Sequence, residues 1–131
     1  MTEKGKLARE YFARQNTNCA QATLCAFLDE TGLTEETAMK LATGFGGGVR
    51  DKEVCGAVTG AVMALGLIMG QTSENDLNAK KKASDMTVEF NKRFKEKHSS
   101  IVCRDLKDKY PDYCAQLVQD GAEIMEELLK S

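Results

Sequence analysis

The residues of this chain best suited to covalent or ligating chemistry are its five cysteines, Cys19, Cys25, Cys55, Cys103 and Cys114, with a single histidine, His98. A thiolate is both a nucleophile and a soft metal ligand. Cys19, Cys55, Cys103 and Cys114 each fall within about one turn of a place where the sequence predicts a helix to begin. There the free amides and the positive end of the helix dipole favour thiolate, so the thiol pKa is expected to fall wherever the sulfur is not sealed in an apolar pocket. Cys25 follows Cys19 by six residues, a rotation of about 240° on an ideal helix, and reads as a small buried hydrophobe. None of the four forms a CxxC pair, so thioredoxin-type and zinc-knuckle signatures are absent. Tertiary structure has to gather these sulfurs.

The stretch that must do most of the gathering is GFGGGVRDKEVCGAVTGAVMALGLIMG, Gly44 to Gly70. From Val54 onward it carries seventeen residues without a formal charge. An apolar helix with no polar face is expected to be buried, and the segment is short and glycine-rich for a membrane span. Gly56, Gly60 and Ala64 recur every four residues and form a ridge almost without side chains, along which another backbone can approach closely. Asp51 is the expected N-cap, which places Cys55 four residues into the helix. Gly46, Gly47 and Gly48 precede it without a predicted strand before them or a Lys-Ser/Thr pair after them, so a nucleotide phosphate loop is a poor match. A sharp turn against the site, with backbone angles that glycine accepts cheaply, is the plainer reading.

The remaining elements also read as helices. Leu7, Ala8, Tyr11 and Phe12 mark an amphipathic helix over about 2–15. Asn16, Thr17 and Asn18 offer caps for a second with apolar positions Ala20, Leu24, Phe27 and Leu28, which Gly32 closes. Thr34 caps a third, with Ala38, Leu41, Ala42 and Phe45 inward. After Thr72 and Ser73 comes the longest helix, its inner face Ala79, Ala83, Met86, Phe90 and Phe94, its Lys80–Lys82 run a solvated face, and His98 near its last carbonyls. Ser99 and Ser100 precede a short helix bearing Cys103. Pro111 is expected in the first position of the final helix, with Cys114, Leu117, Val118, Gly121, Ile124 and Leu128 inward and Glu123, Glu126 and Glu127 outward. No strand signal of comparable length occurs. The fold class is therefore all-α: a single helical domain over residues 1–131, with five or six helices bundled around a buried glycine/alanine-rich central helix at about 54–70.

A chain of 131 residues buries enough surface to fold without metals or disulfides. With 18 basic and 20 acidic residues and a net charge of -2, it has no field to draw in nucleic acid or anionic membrane. The beginning MTEKGKLARE lacks a secretory signal pattern, which sets the expected location in the cytoplasm. In a reducing compartment, cysteines point to redox cycling or metal binding more than to a fixed disulfide framework.

Taken together, Cys19, the loop GFGGG, the run CGAVTGAVMALGL from Cys55 to Leu67, the segment CRDL at Cys103, and Cys114 with the acidic final helix resemble the C_GCAxxG_C_C family of putative redox-active proteins. The resemblance runs from about Cys19 to Leu129. It implies that Cys19, Cys55, Cys103 and Cys114 are the four signature cysteines and that Cys25 is extra. The local order departs from the label, since this chain reads Cys55-Gly56-Ala57-Val58-Thr59-Gly60, a CGAxxG form.

Three functions compete. The first is thiol-disulfide chemistry or electron transfer, in which the Cys55 thiolate attacks a disulfide and a second cysteine resolves it, with a redox protein or small thiol as partner and no cofactor required. The second is a four-thiolate zinc or iron-sulfur site formed by Cys19, Cys55, Cys103 and Cys114. The third is a non-enzymatic helical binding or assembly module, homo-oligomers included, that uses the small-residue ridge.

Overall fold

The computed structural model describes residues 1–107 and 113–131. The described chain is all-α, with α1 (Glu3–Phe12), α2 (Cys19–Cys25), α3 (Leu28–Thr31), α4 (Glu35–Ala42), α5 (Gly56–Met69), α6 (Leu77–His98), α7 (Cys103–Lys107) and α8 (Tyr113–Lys130). A 3-10 turn (Thr43–Phe45) and a wide turn (Gly48–Lys52) link α4 to α5. The β-structure among the described residues is a single antiparallel bridge, Val54 to Val102. Among the described residues eight α-helical segments stand where five or six were expected, in part because the second predicted helix breaks at Phe27. Its final amides shorten their reach, with Phe27 N–H donating to the Leu24 carbonyl, and the Phe27 backbone (φ -114, ψ 27) leaves the helical region. The turn puts the Phe27 ring wholly inside, with the Lys4 ammonium 5.6 Å from its centroid. Pro111 lies outside the described residues.

Side-chain caps set most of the early boundaries. Thr2 and Thr34 accept from Gly5 and Thr37 amides, and Gly32 closes α3 in the left-handed conformation at φ 76°. Around α5 lie α2, α6 and α8, and its inner side buries Gly56, Ala57, Val58, Gly60, Ala61, Ala64 and Leu65. Each large apolar side chain of this core, such as Leu65 or Phe94, contributes on the order of 2 kcal/mol by leaving water.

The small-residue ridge of α5 is occupied by the chain itself. A Cβ on Gly56 would stand 2.7 Å from the Ala20 nitrogen, and one on Gly60 would stand 2.6 Å from the Ala20 carbonyl oxygen, so α2 packs directly on bare backbone. The ridge is therefore not a surface for a partner helix, contrary to the assembly reading. Nor is α5 buried on all sides. Gly66 is exposed and Leu67 is 44% exposed, because α6 covers only part of the outer face.

Two further expectations change. The long helix begins at Leu77, not after Ser73, because the Asp76 carboxylate turns back to accept from the Thr72 amide and hydroxyl. Of the three acids expected to face outward on α8, only Glu127 is exposed. Glu123 accepts from the Thr2 amide at 2.7 Å, and the Glu126 side chain is 12% exposed.

Candidate functional site

Each of the four predicted cysteines is delivered by a different piece of local chemistry. Cys19 is the first residue of α2, directly after a reciprocal cap in which the Asn18 side chain accepts from the Gln21 amide (2.8 Å) and the Gln21 side chain accepts from the Asn18 amide (2.9 Å). Asn18 Nδ2 also donates to the carbonyls of Ala42 and Thr43, and Gln21 Nε2 donates to that of Met39. The end of α4 and the start of α2 are thus tied together beneath Cys19. Gly46 completes the contact, since a Cβ there would meet the Asn18 side chain at 2.7 Å.

Cys55 is itself the N-cap residue of α5, not a residue one turn inside the helix, and Asp51 does not cap it. The reason lies in the loop. Gly47, Gly48, Val49 and Arg50 follow one another at φ 61°, 68°, 58° and 62°, a left-handed turn closed by the Glu53 amide on the Gly48 carbonyl at 3.0 Å. Asp51 is consumed in that turn. The chain then runs extended through Val54, pairs with Val102, and spends the Cys55 amide on the Ile101 carbonyl at 2.8 Å. Glycine is required at position 48, where a Cβ would lie 2.4 Å from the Glu53 nitrogen and 2.9 Å from the Cys103 Cβ.

Cys103 opens α7. The hydroxyl of Ser100 accepts from the Val102 amide and donates to Asp105, both at 2.9 Å, and the Cys103 amide donates to the Glu53 carbonyl. Cys114 lies in the first described turn of α8.

These four thiols line one small cavity of about 60 Å³ together with Gly47, Gly56, Leu106 and Leu117. Cys55 and Cys103 are buried, at 3% and 8% exposure, while Cys19 and Cys114 are half-buried. The Cys19 and Cys114 side chains face each other across this cavity closely enough to interact. Cys25 lies away from this cavity, 2% exposed.

The electrostatics run against the expected depression of the thiol pKa. Burial pushes the Cys55 thiol up to about 11, with the neighbouring Cys103 and Cys114 adding to the rise. The Ala57 and Val58 amides pull the other way and lose, and no regular side-chain cap hydrogen bond forms at Cys55. Desolvation outweighs the helix opening because the sulfur is sealed. The Cys19 thiol is raised strongly, first by its interaction with Cys114, then by burial and the other site cysteines. Cys25 is raised to about 11 by burial and by Glu35, against Arg14.

Among the described residues, no group of three or more His, Cys, Asp or Glu side chains is disposed to hold a metal ion. The four cysteines share a cavity without forming a coordination sphere.

Two residues near the site escaped the sequence reading in their actual roles. His98 does not sit over the last carbonyls of α6 but is buried, with Nδ1 hydrogen-bonded to the Tyr113 hydroxyl and Nε2 2.9 Å from Asp120 Oδ2. A signal existed for it: Phe90, Phe94 and His98 are spaced by four, so the histidine continues the inner stripe of α6. Asp120 likewise falls between Leu117 and Ile124 on the inner face of α8. On the far side of the α5 opening, Phe45, Val54, Val58, Val62, Met63 and Ile101 contribute to an apolar hollow of about 350 Å³.

An all-α chain that gathers four cysteines from four separate segments around one buried cavity defines a class of helical cysteine-site proteins. The chain belongs to the family described as "Putative redox-active protein (C_GCAxxG_C_C)", whose profile matches residues 17–128. No curated protein and no solved structure matches it. Among the described residues, no helix is long and apolar enough to cross a membrane.

Proposed function

We propose that this protein is a cytoplasmic thiol-disulfide redox protein whose working couple is Cys19 and Cys114. The observation that carries the reading is the placement of these two cysteines, both half-buried, at the more exposed side of a cavity lined by all four cysteines. It moves the attacking role away from Cys55, whose sulfur is buried and whose proton is held to about pH 11. With the proton held on Cys19, whose thiol is raised, attack is assigned to Cys114, the other half-buried thiol of the pair.

The Cys114 thiolate attacks one sulfur of a substrate disulfide, forms a mixed disulfide and expels the other sulfur as a thiolate, which takes a proton from solvent. Cys19 then gives up its proton and attacks the Cys114 sulfur. The products are a Cys19–Cys114 disulfide and a second reduced thiol, so two protein thiols and one substrate disulfide become one protein disulfide and two substrate thiols. A redox protein or a small thiol such as glutathione supplies the exchange partner. The four-thiolate zinc or iron-sulfur reading ranks behind this one because the donor arrangement among the described residues does not suit an ion.

Cys19→Ser tests the assignment. Exposed to glutathione disulfide, this variant should accumulate a mixed disulfide that peptide mapping locates at Cys114. An adduct at Cys55 or Cys103, or none at all, sinks the assignment.

A further inference from the structure

The end of α6 holds a buried polar group that the thiol chemistry does not use. The side chains of His98 and Asp120 are each 2% exposed. The imidazole lies 4.9 Å from the Phe94 ring centroid and meets the Tyr113 ring edge-on at 5.1 Å. Its Nδ1 is hydrogen-bonded to the Tyr113 hydroxyl, and its Nε2 approaches Asp120 Oδ2 at 2.9 Å in a close polar contact whose alignment is poorer than its length. The other oxygen of Asp120 accepts from Gln116 Nε2 at 2.9 Å and faces Lys97 Nζ at 3.4 Å. Burial raises the Asp120 carboxyl, but His98, Gln116 and Lys97 outweigh it and keep the group below its ordinary value. Asp120 is therefore a carboxylate. The ring thus stands between the Tyr113 hydroxyl at Nδ1 and the Asp120 carboxylate facing Nε2.

Tyr113 and Asp120 are seven residues apart, about two turns, and so share a face of α8. One imidazole thus grips α8 at two points, and the first of them is the residue next to Cys114. On its own chain His98 is followed by the left-handed turn at Ser99 and the Ser100 cap that lead into Cys103. The side chain stands where two cysteine-bearing segments are joined to the bundle.

We propose that His98 and Tyr113 are positioning residues of the thiol site: their contact fixes the first described turn of α8 so that Cys114 stays within reach of Cys19. The inference rests on the Cys19–Cys114 couple proposed above. Asp120, with Lys97 and Gln116 behind it, orients the ring.

Tyr113→Phe removes the hydroxyl and keeps the ring, and His98→Gln removes the ring nitrogens. Two readouts apply: the equilibrium constant for forming the Cys19–Cys114 disulfide against glutathione, and the alkylation rate of Cys114 relative to Cys25 in the same protein. Loss of positioning should lower the equilibrium constant roughly tenfold in Tyr113→Phe and raise Cys114 alkylation several-fold. The double variant should go no further than the worse single variant. Phe90→Leu, which loosens the same helix one turn or more from the clamp, should leave both readouts near wild type even where it lowers the melting temperature. The proposal is overturned by wild-type values of both readouts in Tyr113→Phe, by additive effects in the double variant, or by Phe90→Leu matching Tyr113→Phe. If the wild-type protein forms no Cys19–Cys114 disulfide, the proposed function fails, and the clamp is decided by the alkylation rate alone.

Discussion

Gly56 and Cys19 are held so close that a methyl group cannot fit between them: a Cβ on Gly56 would lie 2.9 Å from the Cys19 Cβ and 2.7 Å from the Ala20 nitrogen. The neighbour is helix backbone, which cannot swing aside as a side chain tip can. Gly56→Ala should therefore push the start of α2 off α5, at a cost of about 1–3 kcal/mol or somewhat more for overpacking. Gly60→Ala should behave alike, since its Cβ would meet the Ala20 carbonyl oxygen at 2.6 Å. By contrast, Gly66→Ala should stabilise slightly, because nothing lies within 4 Å of a Cβ there and alanine is the better helix former. Urea unfolding of the three variants checks the order. Equal stabilities at positions 56 and 66 would contradict the packing.

Raised thiol pKa values make stability depend on alkaline pH. Cys55 moves from an ordinary 9.0 to about 11 on folding, so between those values the folded state holds a proton that the unfolded chain has released. Stability from this group is complete below about pH 9 and is lost as pH rises toward 11. The full loss for two units amounts to about 3 kcal/mol. Denaturation midpoints measured from pH 7 to pH 11 should fall, and the fall should be smaller in Cys55→Ala. An unchanged slope in that variant would mean the sulfur is not sealed.

How far these relationships could be read in the residues depends on range. Helix class, the caps at Asn18 and Thr34, and the inner stripe of α6 all rest on neighbours within about one turn, and local chemistry decides them. The ridge at Gly56 and Gly60 was legible as a close approach, but its partner, α2, was not, because nothing in a glycine names what packs against it. The capping role assigned to Asp51 failed for a long-range reason. The bridge between Val54 and Val102 draws the chain extended up to Cys55, and that bridge exists only once α6 and the Ser99 turn have brought residues 101–103 back. The sign of the Cys55 shift failed for the same reason, since burial at that sulfur is set by α7 and α8. His98 and Asp120 were visible as polar residues on apolar stripes, yet their meeting required the angle between α6 and α8.

The cap beneath Cys19 does two jobs that substitution can separate. Asn18→Ala removes both the acceptor for the Gln21 amide and the donor to the Ala42 and Thr43 carbonyls. It should destabilise by about 0.5–2 kcal/mol and quicken alkylation of Cys19. Asn18→Ser keeps an acceptor for the helix amide but cannot reach both carbonyls, so it should recover only part of the stability. Thermal melts and Cys19 labelling rates on both variants check this, and full recovery by serine would show that the ties to α4 contribute nothing.

Val49 sits at φ 58° in the left-handed turn, where a β-branched side chain is strained, and it is 49% exposed. Removing the side chain should relieve about 1–2 kcal/mol of backbone strain and cost somewhat less in unfolded-state entropy and lost contact. Val49→Gly should thus be neutral or more stable by up to about 1 kcal/mol. A clear loss of stability would indicate that the half-exposed valine makes contacts worth more than the strain.

The order in which the thiols react is the most direct reading of the site. Alkylation needs thiolate and access together. Cys25 and Cys55 have neither near neutral pH, being 2% and 3% exposed with their protons held to about 11. Cys19 is half-buried, but its thiol is raised by its interaction with Cys114 and by burial. Brief treatment of reduced protein with iodoacetamide at pH 8, followed by peptide mass mapping, should therefore label Cys114 first and Cys19 next, with Cys25 and Cys55 last. Labelling of Cys114 should itself speed that of Cys19, because the thiol loses the partner that raises it. In Cys114→Ser, where a hydroxyl replaces the thiol, Cys19 should alkylate faster than in the wild-type protein. A Cys19 rate unaffected by this substitution would mean that the two sulfurs do not interact, and the couple would have no basis.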